Sequence, residues 1–136
     1  MPAIDVIDST WVGAPPAVLA RAVADPGNWR RWWPGLELAV DELRGRKGVR
    51  WSVRSVAESG DIGLTGTAEV WLEPVCEGSV AHFFLRLDPA PGALLTAAGR
   101  DRVAHRYRCL AKSAFWGLAD QLDPGRIERM CARPAG

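Results

Sequence analysis

The sequence predicts an α+β fold: a curved antiparallel sheet wrapped around a long C-terminal helix, with two short helices after the first strand. Three observations predict it. The chain opens on a β-branched segment, its middle holds segments in which apolar and polar residues alternate, and its last third has apolar residues at helical spacing. A long amphipathic helix must bury its apolar stripe, and one face of the sheet is the largest apolar surface available.

The opening segment, residues 4–12, is rich in β-branched and aromatic residues, which is typical of a strand. Pro15 and Pro16 suit the first turn of a short helix, because proline lacks a backbone N–H and none is needed there. The Asp-Pro-Gly sequence at residues 25–27 ends this helix, and residues 28–33 are predicted to form a brief second one.

Three tryptophans, Trp29, Trp32 and Trp33, follow the break between the two helices. Each indole buries a large area and brings one N–H that needs an acceptor. We favour the interpretation that they seal an open end of the sheet as part of the core. The alternative is that they line a ligand site, and both interpretations hold if the cluster is also the wall of a cavity.

The next two segments are predicted to form a hairpin. Apolar and polar residues alternate in residues 36–41 and again in residues 49–54, with a polar turn at residues 44–48 between them. The alternation places Trp51 on the apolar face of this hairpin. Residues 57–63 are predicted to be a loop.

Residues 64–73 and 79–87 form a second predicted hairpin around a turn at residues 74–78. The register that makes one face wholly apolar pairs Val70 with Phe83. A slip by one residue would mix the two faces, so the pattern supports this register. The opposite face is mixed and pairs Trp71 with His82, Glu69 with Phe84 and Thr67 with Arg86.

Residues 101–122 are predicted to form the long helix, which residues 93–100 could extend toward the N-terminus. Its apolar stripe consists of Val103, Tyr107, Leu110, Ala114 and Leu118. An Asp-Pro-Gly sequence at residues 123–125 ends the helix. We therefore expect a single domain over residues 1–122 and a loose tail over residues 123–136.

Composition argues against several classes of protein. Seventeen basic and sixteen acidic residues give a net charge of +1, which predicts no nucleic-acid partner. The three cysteines have no zinc-ligand spacing and no even count, so we expect neither a metal nor a disulfide framework, and no motif indicates a cofactor. No apolar segment is long enough for stable membrane insertion, and Asp5 and Asp8 lie where a signal peptide would be basic. We expect a cytoplasmic protein.

Several short motifs resemble those of a known superfamily. Ala-Pro-Pro at residues 14–16 opens the first helix, and Ala-Asp-Pro at residues 24–26 ends it ahead of Trp29 and Trp32. Gly-Thr-Ala-Glu-Val-Trp-Leu-Glu-Pro, at residues 66–74, lies on a late strand. On these motifs and the closing helix, the chain resembles the SRPBCC or START-like superfamily, whose fold is called helix-grip. More narrowly, it is similar to the small polyketide cyclase/dehydrase and lipid-transport type proteins, over about residues 3–122.

The resemblance implies a function, with one departure from the family pattern. Members of the superfamily enclose a hydrophobic cavity between the sheet and the last helix, and most bind a lipid, sterol, polyketide or other apolar molecule there. The family pattern has six strands after the two helices, whereas we find four in this sequence. A missing hairpin implies a narrower sheet and a smaller cavity.

The first functional hypothesis is therefore that the chain binds a small lipid- or polyketide-like molecule in that cavity. Gly66, Ala68 and Ala81 are small residues on the apolar face, where they either leave room for the ligand or let the helix approach closely. The predicted ligand-cavity residues are Trp29, Trp32, Trp51, Gly66, Ala68, Phe83, Tyr107, Leu110, Ala114 and Leu118.

Two other hypotheses stay open. A polyketide cyclase or dehydratase would use His82, Glu69 or Tyr107 as acid or base, since a histidine beside a carboxylate can transfer protons near neutral pH. The superfamily has no shared catalytic motif, and we favour His82 and Glu69 as ordinary residues of a solvated outer face. The third hypothesis is binding of a partner protein, which an exposed apolar patch would favour.

Overall fold

The computed structural model describes residues 2–56 and 62–123, which form five β-strands and three α-helices joined by short connections. The elements in chain order are β1 (Ile4–Val12), α1 (Pro16–Val23), α2 (Pro26–Trp32), β2 (Leu36–Leu43), a short 3₁₀ helix (Gly45–Lys47), β3 (Gly48–Val56), β4 (Ile62–Val75), β5 (Gly78–Pro89) and α3 (Ala97–Leu122). The strands form one antiparallel sheet in the order β1-β5-β4-β3-β2. The predicted α+β class and order of elements are confirmed.

Some predictions fall outside the described residues. They concern most of the loop, at residues 57–61, and the tail from residue 124 onward. Within residues 2–56 and 62–123, no helix is long and apolar enough to cross a membrane.

Side-chain hydrogen bonds fix where two of the helices begin. The Asp25 carboxylate accepts a hydrogen bond from the Gly27 amide at 2.9 Å and so caps α2. The Thr96 hydroxyl accepts one from the Gly99 amide at 3.0 Å. This cap explains why α3 begins at Ala97, which lies between the two predicted starting points at residues 93 and 101.

The hairpin of β4 and β5 has the predicted register. Every predicted pair is present, including Val70 opposite Phe83 at the centre of the apolar face. The connection is a two-residue turn of Cys76 and Glu77, whose φ angles are +48° and +62°. Two residues of positive φ give the turn the right-handed twist of the strands that it joins.

The strand β2 forms one edge of the sheet and departs from regular pairing. A bulge shifts its register against β3 between Val40 and Glu42. The acidic residues of this edge, Glu37, Asp41 and Glu42, are each paired with an arginine. After the bulge, Leu43 is 65% exposed, which is high for a large aliphatic side chain.

Lys112 fixes α3 to β1, the strand against which this helix packs most extensively. Its ammonium lies 3.0 Å from the Asp8 carboxylate and donates to the Thr10 hydroxyl at 2.9 Å and to the Ser9 carbonyl at 3.0 Å. Asp8 and Thr10 lie on the face of the sheet that α3 covers. The lysine therefore satisfies polar groups that would be costly to bury alone.

Gly66 is required by the sheet itself. A Cβ at this position would lie 1.8 Å from the carbonyl oxygen of Arg86 on the neighbouring strand β5. The missing side chain thus admits the backbone of β5. Room for a ligand and a close approach of the last helix were the two reasons predicted for this glycine, and the structure gives a third one.

We expect Gly66→Ala to lower the free energy of unfolding by about 3 kcal/mol, because β5 must move to admit the methyl group. Gly117→Ala is the matched control, since nothing lies within 4 Å of a Cβ at this position of α3. Alanine should stabilise the helix there by about 1 kcal/mol. Urea unfolding followed by tryptophan fluorescence measures both values, and equal stability of the two variants would contradict this assignment.

Candidate functional site

An aromatic cluster lies between the sheet and α3. Trp33, which directly follows α2, stacks on Phe83 of β5 with centroids 5.1 Å apart and planes at 14°. It also meets Trp51 of β3 edge to face at 5.7 Å, and Trp32 approaches Phe115 of α3 at 6.3 Å. The aromatic cluster comprises Trp29, Trp32, Trp33, Trp51, Phe83 and Phe115, all of them at least nine-tenths buried.

The aromatic cluster occupies the space in which the ligand cavity was predicted. Trp29, Trp32, Trp51 and Phe83, four of the predicted cavity residues, belong to it. Their burial agrees with the favoured interpretation of the tryptophans as core. The clefts described below lie at the margins of this packed interior.

Two hydrogen-bond donors of the cluster have no acceptor among the described residues. The indole N–H groups of Trp33 and Trp51 are buried there without a partner, whereas that of Trp29 donates to the Val23 carbonyl. A buried donor without an acceptor costs about 1–3 kcal/mol. The centre of the cluster is therefore largely apolar, but two indole N–H groups in it could still donate a hydrogen bond.

The α1–hairpin cleft lies between α1 and the hairpin of β2 and β3, and its volume is about 580 Å³. Its lining is mainly apolar and comprises Ala17, Ala20, Arg21, Ala24, Leu43, Gly45, Arg46, Gly48 and Val49. The small alanines leave room between the helix and the exposed Leu43. Arg21 and Arg46 bring the only charges of this lining. A cleft of this size and composition suits a small hydrophobic molecule.

The α2–α3 cleft is smaller, about 200 Å³. It is lined by Arg31, Trp32, Leu110, Ser113, Ala114, Gly117, Leu118 and Gln121. Four predicted cavity residues, Trp32, Leu110, Ala114 and Leu118, therefore lie together here. The rim is more polar and the volume is below the roughly 300–1,000 Å³ that is usual for ligand pockets.

The other predicted cavity residues lie elsewhere. Ala68 is buried in the core, Gly66 contributes to a shallow cleft along β2, β3 and β4, and Tyr107 is buried on α3. None of the three lines the α1–hairpin cleft or the α2–α3 cleft.

His82 and Glu69 lie on the outer face of the sheet and have separate partners. The Glu69 carboxylate is bound by Arg44. The His82 Nδ1 atom is 2.8 Å from the Ser9 hydroxyl oxygen, and its Nε2 atom is 3.5 Å from the Glu73 carboxylate. Because this face points away from α3, neither residue reaches a molecule held between the sheet and the helix.

Trp33 and Phe115 are central to the aromatic cluster but were absent from the predicted cavity residues. Both are at most 1% exposed. The predicted helix stripe ran through Leu110, which is half-buried, whereas the buried face of α3 also includes Ala111 and Phe115. The i, i+4 spacing from Ala111 to Phe115 is the signal that could have found the phenylalanine.

Metal-ligating side chains are scattered in the part of the chain that the structure describes. No group of three histidine, cysteine, aspartate or glutamate side chains gathers there. Cys76 and Cys109 are exposed free thiols, and Cys131 lies outside the described residues.

Burial raises the pKa of the Tyr107 phenol above its ordinary value of 10.0, and the neighbouring Arg106 partly opposes this shift. The folded protein therefore holds the phenolic proton more tightly than the unfolded chain does. The free energy of unfolding should consequently fall as the pH rises above the unfolded pKa, through the range in which only the unfolded chain is deprotonated.

Tyr107 is the only tyrosine, so the phenolate absorbance reports on it alone. We expect a titration midpoint above 10.0 in the folded protein and near 10 in denaturant. Tyr107→Phe should abolish the absorbance change and remove this contribution to the alkaline loss of stability. Identical midpoints in the two solvents would contradict the effect of burial.

Comparison with known proteins reveals similarity in structure. No protein-family model matches the sequence, and no curated protein is similar to it. The Aha1 dimer protein from Colwellia psychrerythraea is 17% identical with a TM-score of 0.59, over 90% of this chain and 98% of that chain. The AHSA1 protein from Silicibacter pomeroyi is 15% identical with a TM-score of 0.62, over 87% of this chain and 96% of that one.

A third similar structure is StfQ, a di-domain ARO/CYC from the steffimycin biosynthetic pathway. It is 13% identical with a TM-score of 0.53, and the match covers 92% of this chain and 52% of StfQ. At such identities a likeness shows the fold alone. The chain has the helix-grip fold, as its sequence predicted.

Proposed function

We propose that this protein binds a small hydrophobic molecule in the α1–hairpin cleft. The observation that carries the proposal is the cleft itself, about 580 Å³ between a helix face of alanines and the exposed Leu43. Covering Leu43 would remove apolar area from water, which is the main driving force for binding such a molecule. The aromatic cluster fills the interior, so a ligand at the margin needs no rearrangement of the core.

The lining also limits the chemistry of the ligand. Two arginines, Arg21 and Arg46, are the charged members of the lining. A guanidinium beside an apolar surface suits a molecule with an apolar body and one polar or acidic end.

The placement of the predicted acid and base residues does not favour a cyclase or dehydratase that acts in this cleft. His82, Glu69 and Tyr107 are the predicted acid or base residues, and none of them lines the α1–hairpin cleft. A general acid or base must reach the proton that it transfers, directly or through one water molecule. Binding without chemistry is therefore the function that we propose.

N-phenyl-1-naphthylamine is a neutral apolar probe whose fluorescence rises on binding, and it tests the proposal. We expect it to bind the wild-type protein and to bind Ala20→Phe about tenfold more weakly, because the added ring fills the cleft. Ala114→Leu is the matched control, since it fills the α2–α3 cleft by a comparable substitution. This variant should keep the wild-type Kd within about twofold.

The two variants also separate the possible failures. Loss of binding in Ala114→Leu alone would contradict binding in the α1–hairpin cleft. It would instead indicate binding in the α2–α3 cleft, among cavity residues predicted from sequence. Native mass spectrometry of mildly purified protein adds an independent readout. An unchanged Kd in both variants, with no retained small molecule, would contradict ligand binding at either place.

A further inference from the structure

The outer face of the sheet carries a second cleft that the proposed function does not use. No helix covers this face within the described residues, and aromatic side chains remain there, with Trp11 and Trp71 each 41% exposed. The outer face of a half-buried sheet is ordinarily polar. The outer-face cleft has a volume of about 340 Å³. The residues that line it are Arg50, Thr67, Ala68, Glu69, Trp71, Phe84 and Arg86.

The strand register brings these side chains together from three strands. Glu69 of β4 lies between Arg50 of β3 and Phe84 of β5 in one row across the sheet. Thr67 and Arg86 face each other in the next row. Glu69 thus lies at the centre of the cleft, with Trp71 near it on the same strand. Arg50 lies on one side, and Phe84 and Arg86 lie on the other.

Both arginines have N–H donors without an acceptor among the described residues. Arg50 and Arg86 each make one long ion pair through Nε, at 3.7 Å to Asp41 and at 3.6 Å to Asp5. Among the described residues, no hydrogen bond engages their terminal NH2 groups, and the two side chains are 43% and 57% exposed. A guanidinium edge presents two parallel N–H donors, which match the two oxygens of a carboxylate.

The acidic residue of the cleft is already paired with a cation. Glu69 is bound by Arg44, which also holds Glu42 at 3.1 Å. This pairing reduces the repulsion that Glu69 would exert on an anion. Arg50 and Arg86 are the lining cations whose terminal N–H donors are open to such an anion.

The aromatic part of the cleft is held in place before any ligand arrives. Trp71 stacks on His82 with ring centroids 4.8 Å apart and planes at 20°. His82 is held in turn by the Ser9 hydroxyl and lies 3.5 Å from Glu73. A fixed ring loses little conformational entropy when a second ring packs against it.

We propose that the outer-face cleft binds a small planar aromatic carboxylate. Its ring lies against Trp71 and Phe84, and its carboxylate accepts hydrogen bonds from Arg50 and Arg86. The two guanidinium groups supply the N–H donors that such an anion needs, and the aromatic side chains supply the apolar contact. This site is independent of the α1–hairpin cleft.

2-Naphthoate is the probe, and its neutral isostere 2-naphthamide is the comparison. In NMR spectra of the ¹⁵N-labelled protein, naphthoate should shift the indole N–H signal of Trp71 saturably, with the amide about tenfold weaker. Arg50→Gln and Arg86→Gln should each weaken naphthoate binding about tenfold. Trp71→Phe identifies the signal. The spectra of the variants also report whether they fold.

Arg54→Gln is the matched control. Arg54 lies on the same face, pairs with Glu37 and does not line the outer-face cleft. Its replacement removes the same charge and should leave the naphthoate Kd within about twofold. Equal affinity for the acid and the amide, or equal weakening by all three arginine variants, would overturn the proposal. So would the absence of naphthoate binding, or shifts confined to tryptophans of the aromatic cluster.

Discussion

The stack of Trp33 on Phe83 is the contact on which the arrangement of the layers depends. It joins the end of α2 to the middle of β5, and Trp33 also touches Trp51 of β3. Trp32 and Phe115 continue the same packing to α3. Because protein interiors are close-packed, one residue that touches two strands fixes the distance between the helical corner and the sheet.

This packing also determines where a ligand can bind. A sheet with only four strands after α2 encloses less space, and the tryptophans after α2 fill it. The available clefts consequently lie at the margins, beside Leu43 and on the outer face near Trp71. The helix-grip fold is thus retained while the interior between the sheet and the helix serves as core.

The sequence predicts residue positions best where apolar and polar residues alternate strictly along a strand. Alternation fixed the register of β4 and β5, including Val70 opposite Phe83, because any slip exposes apolar residues. Phe115 was missed because the predicted stripe followed Leu110 around one side of the helix. Gly66 is explained by its distance to the backbone of Arg86, and such a distance cannot be read from sequence spacing. The outer-face cleft combines Arg50 of one hairpin with residues of the next hairpin. The spacing within each hairpin does not show how the two hairpins pair.

The bulge in β2 bears on how copies of the chain meet one another. An edge strand presents unpaired N–H and C=O groups, to which a strand of another molecule can add. Here a bulge interrupts the regular pairing of β2 with β3 between Val40 and Glu42 and bends the edge strand. Two bent β2 strands laid side by side would not keep a regular register of hydrogen bonds. This edge therefore disfavours strand-to-strand polymerisation of the protein.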